Sequence, residues 1–498
     1  MYYIGYDIGS SSIKIALVDS ATGKAMKVIS EPKNEMTITA VNAGWAEQDP
    51  DFWWELICIG TKRIINELHI DTSLIKGIGI AYQMHGLVVI DSQGKPLRNS
   101  IIWCDSRAVS VGEKALNDLG TDKCSERLLN SPANFTASKL AWVKENEPEL
   151  YSKVYKAMLP GDYVAYRLTN EINTTITGLS EGVFWDFKNQ SIASFLLDYY
   201  GISEDKLPVI VSNFQPQGQV TARAAEESGL PEGIPISYRA GDQPNNALSL
   251  NVLQPGEIAV TGGTSGVVYG VTNKQTTKEL NRINHFAHVN NSFDTPIFGK
   301  LLCINGAGIL YRYIKETINA ESYSVMNQLA NGVEIGSDGL MLFPFGNGAE
   351  RMLNHLPLEA AVKHLDLNRH TKAHWCRAAL EGIAFAFVYG IKILIDDGME
   401  IKVIRTGNDN LFQSELFGTT IATLIGYDIE VYNTTGAVGA ARALAITKDN
   451  YSRFSEFLST NDHIKTYKPD KNKSHYECHY KKWENTLKNL INVHKNKV

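Results

Sequence analysis

The sequence predicts an α/β protein with mixed sheets, built of two similar halves, and three observations carry that prediction. Two glycine-rich turns, each set between apolar strand-like runs, lie about half a chain apart. After each turn, short apolar strand runs alternate with longer runs at helical spacing. The 498 residues also exceed what a single hydrophobic core usually supports, roughly 250 to 300 residues.

The first turn stands in "YYIGYDIGSSSIKIALVD", residues 2–19. Tyr3, Ile4 and Tyr6 lead into Asp7, and Ile13, Ile15, Leu17 and Val18 follow the turn, so the segment reads as strand, tight turn, strand. The pattern GxxxxGK[ST] is missing and the following residues do not step at helical spacing, which argues against a P-loop or a dinucleotide fold. Gly9 lets the backbone approach an anion, and successive N–H groups with the hydroxyls of Ser10, Ser11 and Ser12 supply donors. Asp7 could hold a Mg²⁺ that bridges phosphate oxygens, usually through water. The competing reading is an ordinary hairpin whose Asp bonds its own turn.

Asp49 and Pro50 mark a helix start, N-cap followed by proline at the first helical position, and apolar positions continue from Phe52 and Trp53 to Leu68. The Trp53-Trp54 pair reads as core packing. Strands are expected over 75–80 and 87–90, with the polar loop Gln83, Met84 and His85 between them. A second polar cluster, Trp103, Asp105 and Arg107, follows in "IIWCDSRA". Loops at strand ends of α/β sheets suit a small polyol held by several directed hydrogen bonds, although a histidine such as His85 also serves structural roles.

"YRAGDQPNNALSL" places Asp242 just ahead of the second turn. A sugar hydroxyl attacking a γ-phosphate needs a carboxylate to accept its proton, and Asp242 is the candidate by position; alone, a Gly-Asp pair is an ordinary loop feature. The second turn, Gly262-Gly263-Thr264-Ser265-Gly266, repeats the opening design inside "GEIAVTGGTSGVVYGVTN". Two such turns heading two halves suggest duplicated units closing on one nucleotide. Beyond them a long helix runs from about 371 to near Gly398, then a strand "IKVIRT", a turn "GNDN", a helix ending near Gly426, the strand "YDIEVY" and the helical "TTGAVGAARALAI".

Apolar residues make up 44% and charged residues 20%, a globular composition, and the net charge of −6 argues against general nucleic-acid binding. Residues 465–498 are the basic exception, with nine lysines against three acidic residues. There Tyr480, Trp483, Leu487, Leu490 and Ile491 fall at helical spacing, which reads as a surface helix with a solvated lysine face. Six cysteines without a CxxC pair imply neither zinc site nor disulfide framework and fit a reducing compartment. No signal peptide and no apolar stretch long enough to cross a bilayer are expected, which points to the cytoplasm.

These motifs, in this order over roughly residues 2–444, resemble the FGGY carbohydrate kinases. In that family "GYDIGSSSIK" corresponds to the first phosphate loop, "YQMHG" to the sugar loop of members acting on xylulose, "WCDSR" to a further sugar-site strand, "AGDQ" to the catalytic-base segment and "GGTSG" to the second phosphate loop. "NFTASKLAWVKENEP" and "RAALEGIAFA" resemble family signatures, while His364 stands where a signature has glycine. "RTGNDNLF" has a single glycine where the adenine site usually has two or three, and Gln243 replaces the usual Asn.

The resemblance implies two actin-like, ribonuclease-H-like ATPase domains, 1–245 and 246–498, with ATP and sugar in the cleft between them. It implies phosphorylation of D-xylulose at its 5-hydroxyl by ATP with Mg²⁺, with Asp242 as base and Asp7 serving metal and phosphate. Gln83, Met84, His85, Trp103, Asp105 and Gln243 would bind sugar. Gly9, Ser10, Ser11, Ser12, Lys14, Gly263, Thr264, Ser265 and Gly306 would line the phosphates, and Gly407, Asn408 and Asn410 the adenosine. Alternatives are a family kinase for L-ribulose, glycerol, gluconate or L-fuculose, or an actin- or chaperone-like ATPase. The partners expected are a small sugar and ATP, with neither nucleic acid nor membrane, and a homodimer is the assembly to test.

Overall fold

The computed structural model describes residues 1–275, 277–408, 410–446 and 450–496, and its main elements are two mixed sheets of five and seven strands. The first hairpin forms as expected. Strands Tyr2–Ile8 and Ile13–Asp19 pair antiparallel with Asp7 opposite Lys14, and their alternation buries Ile4, Tyr6, Ile8, Ile13, Ile15 and Leu17. Strand Ala25–Glu31 extends the hairpin on one side, and Ile75–Tyr82 and then Ile236–Gly241 join in parallel on the other.

The second sheet repeats this plan. Hairpin Glu257–Gly262 and Gly266–Thr272 is flanked by antiparallel Phe298–Ile304 on one side and by parallel Val403–Gly407 and Ile429–Tyr432 on the other. Each half thus carries a three-stranded meander followed by two parallel strands in the same spatial order. Strands Asn284–Ala287 and His463–Tyr467 add the outer edges of the larger sheet.

Asp49 caps helix Pro50–Leu68 by accepting from the Asp51 amide at 2.9 Å, and Trp53 and Trp54 are buried as expected. The long helix Lys372–Asp396 corrects one expectation. Its most apolar window has a mean hydropathy of 1.8, so by length and composition it could cross a membrane; 83% of that window is buried inside the protein. Its Phe387 meets Phe412 and Phe417 beneath the second sheet, a core role that explains the apolar run. The basic tail forms helix Lys473–Lys495, in which Tyr480, Trp483 and Leu487 are buried and Lys481, Lys482 and Lys488 stay exposed. Trp483 stacks on Phe343 and donates Nε1 to the Leu342 carbonyl at 2.9 Å.

Helix Gly436–Arg442 follows a strand of the second sheet yet lies on the first. Gly5 and Gly79 make that possible: a Cβ on them would stand 2.0 Å from the Ala437 carbonyl oxygen and 1.9 Å from that of Ala440. Asn245 fastens the same helix by donating to the Gly436 carbonyl at 2.9 Å. The two halves are therefore joined by backbone packing.

Candidate active site

Parallel register decides where the chemistry collects. Asp7 lies beside Ala81, and Gly241 beside Tyr82, so Asp7, the Gln83-Met84-His85 loop and Asp242 all leave the same edge of the first sheet. Carboxyl ends of parallel strands are where open α/β sheets hold ligands. Asp242 opens helix Asp242–Ser249 with Gly241 as its extended cap, a place where a carboxylate also meets the helix dipole.

Burial, then the neighbouring Asp7, pushes the Asp242 carboxyl up to about 7 against the opposing hydrogen bonds of Gln243. Asp7 is raised as well, by burial, with Lys14 across the hairpin pulling it back. The Asp7 charge is thus felt at Asp242. Asp7 faces the N-terminal residue of helix Gly436–Arg442, its Oδ2 2.4 Å from where a Gly436 Cβ would sit, and its carboxylate has no hydrogen-bond partner among the described residues. Two neighbouring, half-buried carboxylates with spare oxygens fit a divalent cation. Among the described residues no group of three His, Cys, Asp or Glu could hold one alone, so most of its ligands would have to be water and phosphate, as suits Mg²⁺.

Around this pair the expected sugar residues separate into two groups. Trp103 is 48% exposed and donates Nε1 to Ser10 Oγ at 3.3 Å, tying its loop to the first turn. His85 is half-buried, held with φ of 61° by a 2.8 Å bond from Nδ1 to the Glu181 carbonyl, and burial, then the nearby Lys139, lowers its pKa to about 3. It is neutral at physiological pH. Gln83, Met84 and Asp105 lie deeper than the expectation of sugar contact assumes. Gln83 donates to Gln48 Oε1 at 3.2 Å, and Gln48 in turn donates to the Ser10 carbonyl at 2.7 Å. Asp105 accepts from the Ala46 amide at 2.6 Å and from Arg107 at 2.7 and 3.0 Å, so its carboxylate is turned inward and shapes the loop. Met84 packs against Gly241.

Of the residues expected at phosphate and adenosine, Gly9, Ser10, Ser11, Ser12 and Lys14 lie on the first hairpin, and the others lie at the corresponding edge of the second sheet or beside it. In the first turn the Gly9 amide donates to the Ser12 carbonyl at 3.1 Å; in the second, exposed Thr264 sits over the start of helix Ala307–Thr317, its carbonyl accepting from the Ile309 amide at 3.0 Å. Ser265 Oγ reaches the Asn305 carbonyl at 3.4 Å. Gly263 closely approaches Gly308, whose Cβ would stand 2.1 Å from the Gly263 carbonyl oxygen, and Gly306 is packed against the Pro344 carbonyl at 1.9 Å by the same measure. Gly306 thus serves chain crossing. Gly407 ends its strand, exposed Asn408 donates its amide to the Tyr432 carbonyl at 3.1 Å, and Asn410 begins a turn whose Leu411 packs on Gly262. Asp409 of the same motif lies outside the described residues.

Sequence reasoning missed four residues here. Glu181 is buried with both carboxyl oxygens unpartnered and lies 2.2 Å from where a Gly241 Cβ would sit. Burial, then Asp242 and Asp162, hold its carboxyl well above the usual range. Lys139 is fully buried, and its Nζ donates to the His85 and Ile102 carbonyls at 2.8 and 2.9 Å, clamping the two loops together; burial lowers its pKa to about 7 despite Asp105. Cys303, paired with Val267 beside the second turn, has its thiol raised to about 11 by burial, with Arg351, Glu350 and Asp242 as charged neighbours. Arg351 is the fourth. Only the "NFTASKLAWVKENEP" signature hinted at Lys139; nothing local marked the others.

Repeated hairpin-led sheets with acids at one strand edge and neutral turn donors at the other are the architecture of a two-domain, actin-like phosphotransferase that uses ATP as donor. Residues 2–249 match the N-terminal domain of the FGGY family of carbohydrate kinases. The chain belongs to that family and is a carbohydrate kinase. It is 28% identical over 489 residues to the xylulose kinase of Staphylococcus xylosus, covering 96% of this chain and 97% of that one. The xylulose kinase of Rhodospirillum rubrum superposes with a TM-score of 0.87 at 23% identity, over 99% of this chain and 100% of that one. The gluconate kinase of Lactobacillus acidophilus superposes with a TM-score of 0.86 at 22% identity, over 100% and 99%.

Proposed function

We propose that this kinase transfers the γ-phosphoryl group of ATP to the 5-hydroxyl of D-xylulose, giving D-xylulose 5-phosphate and ADP. The observation that carries the reading is Asp242, a desolvated carboxylate with a pKa near neutrality at the edge where three strands converge. In its ionised form it accepts the proton of the attacking hydroxyl, and a base is most effective when its pKa lies near working pH. Trp103 and His85 present an aromatic edge and a neutral imidazole to the sugar. Lys139 and Asp105 keep their loops in place from behind. The turns at Ser10–Ser12 and Thr264–Ser265 offer neutral donors to the triphosphate, and Gly407, Asn408 and Asn410 flank the adenosine. Asp7, with Asp242 beside it, would hold Mg²⁺ through water, where the ion neutralises phosphate charge.

Residues 1–245 and 246–498 serve in this reading as two domains that close on ATP and sugar and exclude water from the transfer. The full-length likeness to xylulose kinases and the "YQMHG" loop support D-xylulose as acceptor. Gluconate is the second reading, favoured by the L. acidophilus superposition. ADP release measured with D-xylulose, L-ribulose, gluconate, glycerol and L-fuculose separates them. D-xylulose should give the highest kcat/KM; a preference for gluconate would replace the assignment.

A further inference from the structure

Arg351 comes from the part of the chain that carries the second sheet, yet its guanidinium lies 5.8 Å over the ring of Phe135, which in turn meets His85 edge-on at 4.9 Å. Its Nε donates to the Asn281 carbonyl at 3.0 Å, and no carboxylate pairs with it among the described residues. The adjacent acid, Glu350, is turned away and accepts from the Asn305 amide at 3.0 and 3.2 Å. Burial lowers the guanidinium pKa to about 10, which leaves it charged at neutral pH. A half-buried cation with a spare fork of donors, facing a neutral histidine and an aromatic face, lacks the acceptor oxygens that a guanidinium normally satisfies.

We infer that Arg351 binds the acceptor sugar, donating to a carbonyl or hydroxyl oxygen held between Phe135, His85 and itself, and so draws the two parts of the chain together over the sugar. The inference rests on the sugar-kinase reading of the cleft. It explains why the strand-end loop alone offers so few open polar groups: Gln83 and Asp105 are engaged inward, and the missing donors arrive from across the cleft. An oxygen-rich, uncharged or anionic polyol suits this site, and a cationic amino sugar does not.

The test is steady-state kinetics of Arg351→Met and Arg351→Gln with D-xylulose and ATP each varied, and a thermal melt of each variant. The KM for D-xylulose should rise by roughly 10- to 100-fold, the size of one charge-assisted hydrogen bond, with less than threefold change in the KM for ATP. Arg351→Gln, which keeps a polar head for the Asn281 carbonyl, decides the matter if Arg351→Met does not fold. An unchanged sugar KM in a folded variant overturns the inference, and a rise confined to the ATP KM reassigns Arg351 to the phosphates and overturns it too. Absence of turnover with every sugar in the unaltered protein would instead defeat the kinase reading, and this inference with it.

Discussion

The two hairpins share sheet position and flanking strands, but they end differently. In the first, the pair before the last is Asp7 and Lys14, and a four-residue serine-rich turn follows; in the second, the equivalent pair is Thr261 and Val267, ahead of a three-residue turn. The same contrast continues along the parallel strands. In the first sheet the inner parallel strand hands over to Gln83 and the outer one to Asp242, whereas in the second the inner one hands over to Asn408 and the outer one to Asn433. In the proposed reading one scaffold, used twice, carries acids where a proton and a cation are managed and neutral amides and hydroxyls where much of the polyanion is held. A carboxylate at the second edge would repel phosphate, and a bare amide at the first would leave the hydroxyl proton without an acceptor.

Substitutions that erase this asymmetry should do the most damage. Asp242→Asn removes the base and should lower kcat by roughly 10²- to 10⁴-fold with little change in sugar affinity, read by ADP release. Asp7→Asn acts through water-mediated contacts and should cost about 10- to 100-fold, with a raised Mg²⁺ requirement in a metal titration. Gly79→Ala tests the scaffold alone, since the new methyl meets the Ala440 carbonyl at 1.9 Å; a loss of about 1–3 kcal/mol should appear as a lowered Tm.

The comparison also has a pH dependence. With Asp242 raised from 3.8 to about 7, the native chain holds a proton that the unfolded chain has already released between those values. Its contribution to stability is therefore greatest at low pH and is lost as pH rises to about 7, while activity rises over the same range as the base ionises. Asp242→Asn should melt above the unaltered protein at pH 8, and the gap should close toward pH 4. A gap that widens on acidification would contradict the assigned direction.

Much of this contrast is legible in the primary structure because it is local. Asp7, Asp242 and both turns stand within short strand-turn patterns, and period-two alternation locates the strands that aim them. What escapes is set by contacts between distant segments. Lys139 sits in a helix with ordinary charged neighbours, and only the folded chain brings two loop carbonyls to its ammonium. Glu181 and Arg351 are likewise given meaning by Gly241 and Phe135, far away in sequence. Asp105 reads as a sugar ligand until Arg107 and the Ala46 amide are seen to occupy it. The helix Lys372–Asp396 shows the converse limit: composition alone does not distinguish a membrane span from the centre of a core.

The central claim is that both hairpin turns grip one triphosphate while Asp242 addresses the sugar. A crystal structure with a non-hydrolysable ATP analogue and D-xylulose tests it most directly. The account predicts phosphate oxygens within hydrogen-bond reach of the turns at Ser10–Ser12 and Thr264–Ser265, and the 5-oxygen of the sugar beside the Asp242 carboxylate. Turns facing separate cavities, or a sugar remote from Asp242, would contradict it.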